Sequence, residues 1–318
     1  MKRIFFATDL HGSETSFMKF LNAAKAYKAD AIVLGGDMTG KALVPIISRS
    51  DGTFEASFLG QKWKCKNRTE EEDLEKKIRS SGQYAYLADE EQIKELDSDT
   101  NKLDDAFRRL MLATMEKWDK IAGEKLQGTG LRIHVTAGND DPFFIDKILG
   151  ESRNFVHCEG QVIQLTPDHE MVSTGYTNVT PWKCPRDIPE EELLTRIETI
   201  CNKVNDVDRC IFNFHCPPID SGLDTCPMLD TSVNPPQLIY RAGQLVTFGA
   251  GSTAVRKVIE EKQPLCTLHG HIHESRAATK IKKTLCLNPG SEYAEGVLRG
   301  VIVNLNQEKV KSFQFTSG

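Results

Sequence analysis

The sequence predicts a layered α/β domain interrupted by one inserted segment, and three observations lead there. Five short apolar runs, residues 3–8, 31–34, 131–136, 210–214 and 265–268, are rich in Ile, Val, Phe and Leu. Most are too short for helices and read as buried strands. Between the first two lies a helical pattern, which completes the strand–helix–strand unit of a layered domain. Each of the five runs is also followed directly by residues able to bind a metal.

The elements follow in chain order. Residues 16–27 place Phe17, Phe20, Leu21 and Ala24 on one helical face. Residues 40–130 contain no further unit of the same kind. They open with strand-like runs at 42–48 and 53–59 around Asp51-Gly52, a hairpin signal. The charged stretch 68–77 reads as a solvated face. A long helical stripe follows, with Leu103, Phe107, Leu110, Met115, Trp118 and Ile121 on one side; it reads as core packing rather than a partner site. Residues 41–125 are therefore taken as an insertion, a hairpin plus helices forming a cap, on a core of residues 1–40 and 126–318. A second helix is expected at 190–204, with Leu193, Leu194, Ile197 and Cys201 in step and Pro189 near its start. A third is expected at 254–262, capped by Ser252 or Thr253. The tail, 284–315, alternates strand-like segments with glycine turns and completes a sheet.

Composition narrows the function. With 40 basic and 45 acidic residues the formal charge is −5, which leaves no overall footprint for nucleic acid. Lys62, Trp63, Lys64 and Lys66 form one small basic-aromatic patch, so a nucleic-acid substrate is possible but not indicated. No apolar run approaches the roughly 18 residues of a membrane span, and the start lacks the pattern of a signal peptide. The nine cysteines are odd in number and form no CxxC pair. Reduced thiols in a cytoplasmic protein are the simplest reading, ahead of a cysteine zinc site. Nothing in the pattern decides the oligomeric state.

The chemistry concentrates at the strand ends. In order, the five runs lead into Asp9-Leu10-His11, Gly35-Gly36-Asp37, Gly138-Asn139-Asp140-Asp141, His215, and His269-Gly270-His271-Ile272-His273. Ligands of open α/β sheets collect beyond the carboxyl ends of the strands, so one convergent site is expected. Carboxylate, imidazole and amide oxygen together suit borderline divalent cations such as Mn²⁺, Fe²⁺ or Zn²⁺. Asp9 and His11, two apart, would point the same way on an extended segment, as would His271 and His273. Each motif alone is common by chance; the ordered set of five is not.

That set resembles the signature of the calcineurin-like metallophosphoesterases: Asp-x-His, Gly-Asp, Gly-Asn-His-Asp/Glu, His, and Gly-His-x-His, matched here from Asp9 to His273. The turn Asn288-Pro289-Gly290-Ser291 is also similar to one that often follows the last motif. The resemblance implies a four-layer αββα sandwich, two mixed β-sheets packed face to face with helices outside. It implies two divalent ions. Asp9, His11, Asp37 and His273 would hold one; Asp37, Asn139, His215 and His271 would hold the other, with Asp37 bridging. Two ions about 3.5–4 Å apart activate a water as nucleophile and clamp phosphate oxygens, so the implied activity is hydrolysis of a small phosphate ester. His215 and His271 would face the developing charge.

One position departs from the signature. Where the family has His, this chain has Asp140. A carboxyl group with a reference pKa of about 3.9 is ionised at neutral pH and repels a phosphate dianion. It would serve as a general acid only in a site that strongly raised its pKa. A diester carries one negative charge fewer, so a phosphodiester is favoured over a monoester. The plainer reading is that Asp140 caps the turn or orients Asn139, and that Asp141, before Pro142, starts the next helix. Arg276 is read as a surface residue rather than a phosphate contact. Residues 249–252, Gly-Ala-Gly-Ser before a helix, either bind an anion through backbone amides or simply cap that helix. The alternatives to an esterase are a non-catalytic metal-binding scaffold of the same fold, and a nuclease. All seven ligand positions hold suitable side chains, which speaks against the scaffold.

Overall fold

The computed structural model describes residues 1–233 and 235–318. Two six-stranded mixed sheets form its centre. In the first, the parallel strands Lys2–Ala7, Ala31–Leu34, Ile133–Val135 and Phe155–His157 lie side by side. The C-terminal hairpin, Arg299–Leu305 and Val310–Ser317, joins antiparallel beside the first strand. In the second, the parallel strands are His169–Thr174, Cys210–Phe214, Cys266–Leu268 and Thr284–Asn288, with Val162–Thr166 and Ala277–Ile281 antiparallel at the two edges. The expected tail thus serves both sheets.

Why these strands read as unbroken apolar runs is clear from their burial. Side chains alternate across a sheet, and here both faces are covered. Ile4 and Phe6 point into the layer between the sheets, against Met171, Ile211, Leu268 and Leu287 of the second sheet. Phe5 and Ala7 point the other way, into a core shared with Phe17 and Phe20 of the helix Glu14–Ala26. On the far side, Val172, Phe212 and Phe214 pack against Leu193 and Ile197 of the helix Glu190–Cys201 and Val255 and Val258 of the helix Thr253–Lys262. Helix, sheet, sheet, helix: the order is the four-layer sandwich.

The segment after Gly40 is richer than its sequence pattern indicated. It carries a four-stranded sheet in which Leu43–Ser48, Phe54–Phe58 and Gln61–Cys65 run antiparallel, as the Asp51-Gly52 turn predicts. A fourth strand, Tyr84–Ala88, pairs parallel with Leu43–Ser48 through the intervening helix Arg68–Ser80. A strand–helix–strand unit is therefore present where none was expected. The charged stretch 68–77 is that helix, and it buries Leu74 and Ile78. So small a sheet needs only two apolar residues from its helix, too few to register as periodicity among charged and polar neighbours. The long helix Thr100–Leu126 then returns to the main body and inserts Met115, Trp118, Ala122 and Leu126 into the core beneath the first sheet. No helix among the described residues is long and apolar enough to cross a membrane.

Candidate metal centre

The parallel strands bring their carboxyl ends to one place, and the backbone there is bent sharply. Asp9, His11, Asp37 and His271 all adopt positive φ, at 54°, 41°, 50° and 68°. Non-glycine residues rarely do so, and such strain gathers at functional sites. The expectation that Asp9 and His11 converge along an extended segment is corrected by these values; they converge because the chain turns at each of them. Turning also demands room. A Cβ on Gly36 would stand 2.5 Å from His215 Nδ1, and one on Gly270 would stand 2.4 Å from Asp9 Oδ2. The glycines before the ligand positions allow that close approach.

The side chains meet as follows. His273 Nε2 lies 3.4 Å from Asp9 Oδ1 and 3.1 Å from His11 Nε2. His11 Nε2 lies 3.6 Å from Asp37 Oδ2. His215 Nε2 lies 3.3 Å from Asp37 Oδ2 and 3.7 Å from Asp9 Oδ1. His271 Nδ1 meets Asn139 Oδ1 at 3.0 Å, and its backbone N–H donates to Asp9. All seven residues singled out in the sequence thus lie in one connected, largely buried cluster. His269 turns away, between the carbonyls of Phe214 and Cys216 and the Thr267 hydroxyl.

Charge in the cluster favours a cation. Burial opposes ionisation of Asp9 and Asp37, yet the neighbouring His215 holds both carboxyls below their usual range. Burial likewise opposes protonation of His215, but Asp37 and Asp9 push it up to about 10. The His271 imidazole, depressed by burial and by His215, falls to about 4 and offers a neutral nitrogen. The donor set fits divalent ions on a geometric observation as well. His215 Nδ1–H donates to the Gly35 carbonyl at 2.9 Å, which leaves Nε2 buried, facing two carboxylates and without a hydrogen-bond partner. A histidine whose other nitrogen is fixed by a carbonyl is presented as a metal ligand is presented. Among the described residues, three groups bring ligand atoms close enough to share an ion: Asp9, His11 and His273; Asp9, Asp37 and His215; and His11, Asp37 and Asp140.

Residues outside the signature hold this geometry. Asp187 accepts from Asn139 Nδ2 at 3.0 Å and so aims Oδ1 at His271. Asp141 accepts from the backbone of Met38, Thr39 and Gly138, tying the Asp37 loop to the Asn139 loop. That replaces the helix-start role expected for it. Asn288 Nδ2 donates to the Gly270 and Ile272 carbonyls, and Ser291 Oγ to the Asp9 carbonyl, so the turn at 288–291 braces the first and last motifs. Tyr293 packs on His11, ring centroids 4.6 Å apart.

Asp140 sits at the edge, side chain 19% exposed. Its backbone N–H donates to Asp37 Oδ1 at 3.0 Å. One carboxylate oxygen pairs with the Lys41 ammonium and the other accepts from the Cys184 thiol. Burial pulls the Lys41 ammonium down, but Asp37 and Asp140 outweigh it and hold the group above the ordinary lysine value. Arg276 is exposed and lies over Phe315. The amides at 252–254 are occupied: Glu190 accepts from Thr253 and Ala254, and Ser252 Oγ caps the helix by accepting from Val255. Of the two readings of 249–252, the helix cap is the one observed. In the basic-aromatic patch, Lys64 pairs with Glu55, and Lys77 from the adjoining helix covers Trp63. All nine cysteines are free thiols.

Known proteins share the fold. No family model matches the chain. The uncharacterised protein MJ1162 of Methanocaldococcus jannaschii is 31% identical over 146 residues, covering 45% of this chain and 58% of that protein. The match therefore spans less than two thirds of the relative. A solved crystal structure aligns over 98% of both chains at 15% identity with a TM-score of 0.57. The crystal structure of TT1561 of Thermus thermophilus aligns over 100% of this chain and 98% of that one, at 12% identity and a TM-score of 0.54. At these identities the likeness is one of fold.

Proposed function

We propose that the protein is a metal-dependent phosphoesterase of the calcineurin-like type that favours phosphodiesters over monoesters. One observation carries the reading: seven residues from five strand ends meet in a buried cluster, with His215 Nε2 aimed between Asp9 and Asp37. Asp9, His11, Asp37 and His273 would hold one ion, and Asp37, Asn139, His215 and His271 the second, with Mn²⁺, Fe²⁺ or Zn²⁺ suited to the donors. Bound there, the ions would supply Lewis acidity toward a phosphoryl oxygen and lower the pKa of a coordinated water. The chain's own part is to fix geometry. Gly35 keeps the His215 ring in place, Asp187 keeps the Asn139 oxygen forward, and the turned backbone crowds the donors together.

Access is from the side where burial gives way, at His273 (side chain 26% exposed), Asp140 and Lys41. We read the substrate as a small phosphate ester, with the sheet of residues 43–88, rather than the core-packed helix Thr100–Leu126, as the cap. Lys41 and Asp140 together contribute no net charge. The pair thus offers a substrate hydrogen-bond donors but no surplus positive charge, which a monoester dianion needs more than a diester monoanion does. Nine free cysteines support a cytoplasmic setting.

The test is hydrolysis of bis(p-nitrophenyl) phosphate beside p-nitrophenyl phosphate by metal-stripped protein, with and without Mn²⁺, with Asp37→Ala as control. Mn²⁺-dependent diester hydrolysis, lost in the variant, is expected. Activity mainly on the monoester refutes the diester preference. Two ions bound with no hydrolysis of either ester turns the reading toward a scaffold.

A further inference from the structure

We infer that Lys41 is the substrate-binding cation of this site, donating to a non-bridging phosphoryl oxygen, and that Asp140 is the positioning residue that holds its ammonium there. The inference rests on the phosphoesterase reading and deepens it. Lys41 is joined to the cluster through Asp140, whose carboxylate lies near His11 and Asp37 as well.

Three observations distinguish this pair from an ordinary surface salt bridge, which contributes little and orders little. First, Asp140 is fixed from three directions: its N–H is bonded to Asp37, one oxygen takes the Cys184 thiol, and only the other is left for Lys41. A carboxylate so held fixes where the ammonium sits. Second, both Asp140 oxygens are already engaged, one by the Cys184 thiol and the other by the Lys41 ammonium, so its part is to place another group. Third, the ligand cluster is closed on its inner side, whereas Lys41 remains 48% exposed at the mouth. An ammonium has three donors and Asp140 uses one, which leaves others for an incoming oxygen. No second lysine or arginine is paired into the cluster among the described residues.

The experiment measures binding of inorganic phosphate to Mn²⁺-loaded protein by titration calorimetry, with metal content determined in parallel. Loss of a charge-assisted hydrogen bond predicts that Lys41→Ala binds phosphate about 10- to 100-fold more weakly while holding the same metal. Lys41→Arg keeps a cation in place and restores most of the affinity. Asp140→Asn weakens binding when Lys41 is present and does not weaken it in the Lys41→Ala background. Unchanged phosphate affinity in Lys41→Ala overturns the assignment while leaving the phosphoesterase reading intact. Asp140→Asn strengthening binding equally in both backgrounds overturns the positioning role, because Asp140 then acts only by repulsion. Wild-type protein that takes up metal but no phosphate sinks both the reading and the assignment.

Discussion

Trp118 tests whether the segment after Gly40 is welded to the main body. The residue is 1% exposed and stacks on Phe17 with centroids 4.1 Å apart and planes 2° from parallel. Truncating a buried Trp to Ala costs about 3–5 kcal/mol. Part of that is offset here, because the buried indole N–H has no partner and its removal relieves about 1–3 kcal/mol of unmet desolvation. Taking the midpoints of the two ranges, the net for Trp118→Ala is about 2 kcal/mol. Trp118→Phe keeps the stack and also removes the orphan donor, so it should fall within about 1 kcal/mol of wild type. At roughly 1.5 °C per kcal/mol for 318 residues, from about 2.1 cal/mol/K per residue, the Ala variant should melt roughly 3 °C lower. Circular dichroism melts and urea titrations read both variants. A Phe variant as destabilised as the Ala variant would falsify the offset argument. An Ala variant that melts with wild type would show that the long helix does not hold the core.

Four further outcomes are expected. Asp187→Ala frees the Asn139 amide to rotate, so Mn²⁺ affinity measured by calorimetry should drop by about 10–100-fold; equal affinity refutes the orienting role. Gly270→Ala places a Cβ 2.2 Å from Thr8 Oγ1 and 2.4 Å from Asp9 Oδ2, and should cost about 1–3 kcal/mol along with weakened metal binding. By contrast, Gly150→Ala lies in the helix Ile145–Glu151 with open space around the new Cβ, and should stabilise the fold by about 0.5–1 kcal/mol. Burial opposes ionisation of Asp146, but His157 and Arg186 hold its carboxyl below the usual value. Its contribution is therefore present above the ordinary carboxyl pKa of about 3.9 and lost as pH falls through the lower folded value. Urea melts should find Asp146→Asn less stable than wild type at pH 7, with the gap closing below about pH 4; a gap that widens in acid contradicts the sign.

Much of this molecule is legible in one dimension. A strand buried on both faces must be apolar at every position, so the parallel strands announce themselves as runs such as Ile4-Phe5-Phe6-Ala7. A ligand just past such a strand is named by its neighbour in the chain, which is why Asp9, Asp37, Asn139, His215 and His273 stood out. The small sheet formed by 43–88 is only partly legible, because its helix buries too few apolar residues to show a period. Lys41 stands four residues past Asp37, but a lysine at the start of the insertion carries no pattern that marks it as part of the site.

Other parts exist only in three dimensions. Asp187 is 48 residues from the Asn139 it orients, and Gly35 is 180 residues from the His215 it steers. The positive φ of Asp9, His11, Asp37 and His271 leaves no trace in residue type. Sequence determined which atoms can bind a cation and the order in which the strands present them, since local patterning dictates both. Tertiary structure decided which nitrogen faces inward, which oxygen is forward and that Lys41 pairs with Asp140, because those follow from contacts between segments whose separation along the chain carries no signal.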